Sequence, residues 1–212
     1  MKRVTIVGGT AGIGLATTQA ALAAGNWVRA FSRNADKLAP DGADLERFTG
    51  DALVPADVQR AVQDVDAVIL ALGVPFNLRM LTGPITLFSE ATGVVLAAMA
   101  SAGVERLIAV TGFGAGECAK AISPLQKLPF NLVFGRAYAD KTVQEDLIRA
   151  SATRWTIARP GVLTNGSLSG YEVLVEPAAW RNGVISRASV ADFLVQQLHS
   201  DALVGEAPVL VR

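Results

Sequence analysis

Apolar residues in this chain gather in short runs separated by stretches of helical length. Residues 4–7 (Val-Thr-Ile-Val) form the first run, and 27–31, 66–72, 106–110 and 155–158 follow, with 46–49 (Glu-Arg-Phe-Thr) read as a further short strand. These runs lack the apolar–polar alternation of a half-exposed strand, as expected for strands buried on both faces. A short apolar run does not by itself distinguish a strand from a buried helix. Here length and the strict alternation with helices decide for strands. Residues 15–24 read as an alanine-rich helix stopped by Gly25, and 34–38 as a short helical turn. Helices are expected at 55–63, with Val58, Ala61 and Val62 on one side, and at 85–102, ended by Gly103. Residues 74–84 read as a loop carrying Phe76, Leu78, Met80 and Leu81. Pro124 and Pro129 interrupt 115–135, which reads as irregular, and a helix is expected at 136–150. The last fifty residues are less regular. Short strands are expected at 171–175 and 184–185, a helix at 190–198 with Ser189 as its N-cap, and a final strand at 208–211.

The first β-α-β unit carries the clearest chemistry. Gly8-Gly9-Thr10-Ala11-Gly12-Ile13-Gly14 follows the first strand directly. Strand, glycine-rich turn, helix and strand in this order form a dinucleotide-binding unit. Gly8 lets the chain turn sharply off the strand. Gly12 keeps side chains away from the pyrophosphate, and Gly14 lets the helix pack closely. Thr10, Ala11 and Ile13 complete the turn that would hold the cofactor. The helix N-terminus offers unpaired N–H donors and partial positive charge. Regular β-α alternation over the chain predicts an α/β fold, a Rossmann-type doubly wound parallel sheet with helices on both faces. Residues 1–212 are expected to form a single NAD(P)-binding domain, with 163–212 forming a small C-terminal region that covers the substrate side.

Composition narrows the class. The chain has 212 residues and is 51% hydrophobic, which suits a substantial core. Nineteen basic and nineteen acidic residues cancel, so neither nucleic acid nor a membrane surface is expected as partner. Cys118 is the only cysteine, so no intrachain disulfide forms and a cytoplasmic location is expected. Residues 1–7 are too short for a signal-peptide core, and no apolar stretch is long enough to span a membrane. His199 is the only histidine. It reads as a surface residue, and a histidine-rich metal site is excluded.

The end of the second strand distinguishes the two nicotinamide cofactors. A carboxylate there accepts hydrogen bonds from the adenosine ribose and repels a 2′-phosphate. This chain has Phe31-Ser32-Arg33 and no acid until Asp36. The Arg33 guanidinium suits a 2′-phosphate, and Ser32 or Thr10 can add a hydroxyl. The expected cofactor is NADP (NADPH). Asp51-Ala52 fits the adenine edge, and Ala71-Leu72-Gly73 is small enough to pass along the adenosine and its ribose. Thr111-Gly112 is expected near the nicotinamide ribose. Pro160-Gly161-Val162 is expected beside the nicotinamide, where backbone groups could hold the carboxamide.

The glycines at 8, 12 and 14 give G-x-x-x-G-x-G, which resembles the short-chain dehydrogenase/reductase superfamily. Further segments match: Ala71-Leu72-Gly73, Val110-Thr111-Gly112-Phe113-Gly114, and Tyr138-Ala139-Asp140-Lys141 with Glu145. Trp155-Thr156-Ile157-Ala158-Arg159-Pro160-Gly161 and Ile185-Ser186-Arg187 before Val190-Ala191-Asp192-Phe193 complete the set. Together they resemble the atypical, NmrA-like, NAD(P)H-binding group, and are similar to the biliverdin IXβ reductase/flavin reductase-like proteins. The resemblance covers almost the whole chain. It implies NADPH-dependent reduction of flavins or tetrapyrroles, sugar-nucleotide chemistry, or non-catalytic redox sensing, and it favours a monomer.

The superfamily's usual chemistry needs Tyr-x-x-x-Lys, in which tyrosine transfers a proton and lysine binds the ribose. Lys141 is present, but Ala137 stands four residues before it and Tyr138 only three. On a helix that change turns the side chain by roughly 100°. Tyr138 therefore either points at the cleft or packs on residues 123–135. Lys141, Thr111 and Tyr138 are the candidate catalytic residues. Reducing a simple ketone creates an alkoxide that needs a positioned acid. A planar conjugated acceptor (flavin, quinone or tetrapyrrole-like) delocalises the charge and can take a proton from water. The expected function is hydride transfer from NADPH to such an acceptor, with Phe76, Phe113 and Tyr171 as candidate apolar walls. The alternatives are a non-catalytic NADP-binding sensor and a sugar-nucleotide epimerase or dehydratase.

Overall fold

Each central strand feeds two separate cores with alternate residues, which is why its sequence is apolar throughout. In the computed structural model, residues 1–38, 42–73 and 85–212 are described, except for the side chains of 124–127, 129–131 and 133. The chain begins with β1 (Arg3–Val7), α1 (Gly12–Ala23), β2 (Trp27–Ser32) and β3 (Leu45–Thr49). It continues with α2 (Pro55–Ala61), β4 (Ala67–Leu70), α3 (Leu87–Ala102) and β5 (Arg106–Val110). Then come α4 (Pro124–Ala150), β6 (Arg154–Pro160), β7 (Val162–Thr164) and β8 (Glu172–Leu174). The last elements are β9 (Val184–Ser186), α5 (Arg187–Gln196) and β10 (Val209–Val211).

The main sheet runs β3-β2-β1-β4-β5-β6-β10-β8. All of its pairings are parallel except β10 with β8. A second small parallel sheet pairs β7 with β9. On one face, Val4, Ile6, Ile69, Ile108 and Val110 pack with the apolar residues of α1 and α5. On the other, Val7, Val68, Leu70, Leu107 and Ala109 pack against α2, α3 and α4. Each of the valine, leucine and isoleucine side chains among them stabilises the fold by about 1.5–3 kcal/mol. Leu107 is fully buried between β5 and its helices, so Leu107→Ala should cost about 2–5 kcal/mol. This is the Rossmann-type doubly wound sheet expected, with strand order reversing between β1 and β4. Ligands bind such sheets at the carboxyl ends of the strands beside that reversal.

Two expectations fail. Residues 115–135 are not irregular: a 3₁₀ turn spans Gly116–Ala121, and α4 starts at Pro124 rather than at 136. Pro124 stands in the first turn, where a missing N–H costs nothing, and the helix continues past Pro129. The N-cap of α5 is Ser186, not Ser189: the Ser189 N–H donates to Ser186 Oγ at 3.0 Å. His199 is exposed just beyond α5. The 74–84 loop, with Phe76, Leu78, Met80 and Leu81, lies outside the described residues. No helix among the described residues is long and apolar enough to cross a membrane.

Candidate functional site

A cavity of about 720 Å³ lies across the carboxyl ends of β1, β4, β5 and β6. Its volume is within the usual range for ligand sites. Gly8, Thr10, Ala11, Gly12 and Ile13 line it at the turn between β1 and α1. Gly8 has φ +86° and donates its N–H to the Phe31 carbonyl at 2.9 Å. A Cβ on Gly8 would lie 2.8 Å from the Ala71 carbonyl oxygen, so only glycine fits. Gly12 has φ +53°, and among the described residues a Cβ there would meet only the Arg187 Nε, at 4.0 Å. The missing side chain leaves an open cradle along the backbone. Gly14 is buried and outside the cavity; a Cβ on it would strike the Gly8 carbonyl. It seats α1 against the turn. The N-cap position Ala11 provides no side-chain cap, and no acid stands in the first turn of α1. The first N–H groups of α1 therefore suit an anion, and the turn fits a cofactor pyrophosphate.

Ser32, Arg33, Asn34, Asp51 and Ala52 line one end of the cavity. Thr10 Oγ1 and Ser32 Oγ share a hydrogen bond of 2.8 Å, and the Asn34 N–H donates to Ser32 Oγ at 3.2 Å. Arg33 is exposed beside them. The Asp51 carboxylate accepts the Leu53 N–H at 3.0 Å and so holds its own turn. The Asp51 N–H donates to Asp57 Oδ2 at 3.0 Å and, with Arg60, holds the Asp57 carboxyl below its ordinary pKa. Ala71, Leu72 and Gly73 line the floor.

Thr111, Gly112, Ala137, Tyr138, Lys141, Pro160 and Gly161 line the opposite end. Lys141 Nζ donates to the Thr111 carbonyl at 2.9 Å and lies 4.1 Å from the centre of the Phe88 ring. Burial pulls its pKa down to about 8. Thr111 Oγ1 donates to Glu145 Oε1 at 2.7 Å. Arg159 holds the same carboxylate from β6. Asp140, beside Lys141, caps α3 by accepting the Phe88 N–H at 2.8 Å. Tyr138 does reach the cavity despite its shifted position. Its ring packs against Phe134, with centroids 6.3 Å apart, and its hydroxyl lies 2.6 Å from where a Gly112 Cβ would stand. Burial pushes its pKa up to about 12.

Several expected contacts fall elsewhere. Val162 is exposed and outside the cavity, and its N–H donates to the Gly183 carbonyl at 2.8 Å. Alternation along β7 brings Leu163 to the cavity instead. Phe113 is buried with Cys118, Ile122, Val209 and Val211. Tyr171 packs on Phe193 and donates its hydroxyl to Asp192 Oδ2 at 2.8 Å. Neither lines the cavity, and Phe76 lies outside the described residues. The apolar walls are Leu87, Phe88, Phe134 and Leu163. Arg187 also lines the cavity, with Nη1 donating to Asn165 Oδ1 at 2.6 Å. Sequence reasoning gave it no role, although it directly follows β9 as Arg33 follows β2.

A family model described as NAD(P)H-binding matches residues 8–201. The chain belongs to this NAD(P)H-binding family. Among solved structures it is similar to ChuY, an anaerobilin reductase from Escherichia coli. That match has 27% identity and a TM-score of 0.81, and covers 100% of this chain and 97% of that one. A Rossmann-fold NAD(P)-binding family protein from Shigella flexneri matches at 26% identity and a TM-score of 0.74, covering 100% and 94%. A short-chain dehydrogenase/reductase from Veillonella parvula, solved with NADP, matches at 19% identity and a TM-score of 0.82, covering 100% and 94%. This last likeness concerns the fold alone.

Proposed function

We propose that the protein is an NADPH-dependent reductase of a planar conjugated acceptor, a linear tetrapyrrole before a flavin or quinone. The observation that carries this reading is the pairing of a complete nucleotide cradle with Ala137 where a proton-donating tyrosine would stand. When bound, NADPH supplies the two electrons and the hydrogen of a hydride. Gly12 and the start of α1 receive its pyrophosphate, and Arg33 with Ser32 receives the 2′-phosphate. Lys141 holds the nicotinamide ribose, supported by Thr111. Leu87, Phe88 and Phe134 exclude water from the acceptor side. The likeness to ChuY favours a tetrapyrrole among conjugated acceptors.

NADPH oxidation with a linear tetrapyrrole, FMN, a quinone and a simple ketone tests the reading. Turnover with the conjugated acceptors well above any with the ketone supports it. Tight NADPH binding without turnover on any of them would favour a sensor of the cofactor's redox state.

A further inference from the structure

We propose that the Lys141 ammonium is the proton donor to the acceptor, taking the place of the tyrosine that this chain lacks at Ala137. The inference rests on the reductase reading above. Its basis is how the neighbouring carboxylates are used. Glu145 stands one helical turn beyond Lys141 and would ordinarily hold its proton through an ion pair. Instead both Glu145 oxygens are engaged by Arg159, from Nε at 3.0 Å and Nη2 at 2.6 Å, and Oε1 also accepts the Thr111 hydroxyl. Asp140 is turned toward the Phe88 and Ser89 N–H groups of α3. Among the described residues, Lys141 meets one neutral acceptor, the Thr111 carbonyl, and an aromatic face.

Among the described residues, the charged and titratable groups around Lys141 are few. On α4 they are Asp140, Glu145 and Tyr138; β6 offers Arg159 behind Glu145, and the 116–121 turn offers Glu117 and Cys118 beyond it. α3 presents the uncharged Phe88 ring. An ammonium in such surroundings gives up its proton readily. Tyr138, with a pKa of about 12 against about 8 for Lys141, is the weaker acid by roughly ten-thousandfold. In the proton step an Nζ–H bond breaks, the proton joins the acceptor, and the neutral amine regains a proton from water. The acceptor's two electrons come from NADPH, which leaves as NADP⁺.

The first measurement needs no cofactor. Acetic anhydride labelling of the free protein across pH, read by mass spectrometry, should give Lys141 a half-maximal reactivity near pH 8. Tyr138→Phe should leave that value in place. Lys141→Arg keeps the charge but does not release a proton. Because Lys141 also holds the ribose, the variant is compared at saturating NADPH, where it should lose at least a hundredfold in single-turnover reduction. The wild-type rate should fall as pH rises through about 8, and the arginine variant should lose that limb. Labelling near the ordinary lysine value, or an unchanged rate in Lys141→Arg, overturns the donor assignment alone. A wild type that binds NADPH and reduces no acceptor overturns the reductase reading and the donor with it.

Discussion

Arg159 grips Glu145 through two hydrogen bonds, Nε to Oε1 at 3.0 Å and Nη2 to Oε2 at 2.6 Å, with both side chains buried. The pair joins β6 to α4 directly behind Thr111, and Trp180 stacks on the guanidinium at 4.9 Å. Its consequence for Lys141 is electrostatic. Glu145 and Asp140 still favour the charged amine, but burial outweighs both and the lysine pKa falls from 10.5 to about 8.

That shift makes a stability prediction. Its full value is roughly 3 kcal/mol, an upper figure because the amine borders a cavity. Below about pH 8 folded and unfolded chains both hold the proton, and the penalty for burying charge is fully present. Between about pH 8 and 10.5 the unfolded chain keeps a proton that the folded chain has lost, so stability rises with pH. Lys141→Met should therefore stabilise the cofactor-free protein at pH 7 and have less effect above pH 10. Urea unfolding at both pH values checks it; equal effects would mean that the lysine is ordinarily solvated.

Arg33 is exposed at the end of β2, next to the Ser32–Thr10 hydrogen bond. A charge-assisted contact is worth about 1.5–3 kcal/mol, which is roughly tenfold to a hundredfold in affinity. Arg33→Ala should weaken NADPH by that factor and leave NADH nearly unchanged. Equal losses in fluorescence titrations of the two cofactors would remove Arg33 from the 2′-phosphate.

Gly12 adopts φ +53°, where a branched side chain is strained by about 1–3 kcal/mol. The space beside it is open apart from Arg187, so Gly12→Val should fold. Its side chain would occupy the cradle and abolish NADPH binding. A folded variant by circular dichroism that still binds NADPH normally would mean that the pyrophosphate lies elsewhere.

Tyr138 lines the cavity, but its high pKa makes it a poor acid near neutrality. Tyr138→Phe should cost less than tenfold in turnover with a conjugated acceptor. A thousandfold loss at unchanged cofactor affinity would make it the donor and return carbonyl reduction to first place.

The parts of the site built from contiguous sequence were legible in advance. The strand-turn-helix at 4–24 and the strand end at Phe31-Ser32-Arg33 report their geometry through local glycine and strand chemistry. What depended on long-range contacts was hidden. Arg159 and Glu145 lie fourteen residues apart on different elements, β6 and α4, and nothing local announces that they pair. Phe113 and Tyr171 looked like walls because aromatic residues near strand ends fit either a pocket or a core, and tertiary packing took both away. A start for α4 at 136 follows from treating every proline as a break, although Pro124 stands where a helix tolerates one. Arg187 was legible in principle by the strand-end rule that singled out Arg33.

The central claim is hydride transfer from NADPH to a conjugated acceptor. NADPH deuterated at C4 of the nicotinamide on the transferring face, incubated with the protein and a linear tetrapyrrole, tests it most directly. Mass spectrometry should find one deuterium bound to carbon in the reduced tetrapyrrole and NADP⁺ formed in equal amount. Unreacted NADPH bound to the protein, with the tetrapyrrole unchanged, would contradict the account.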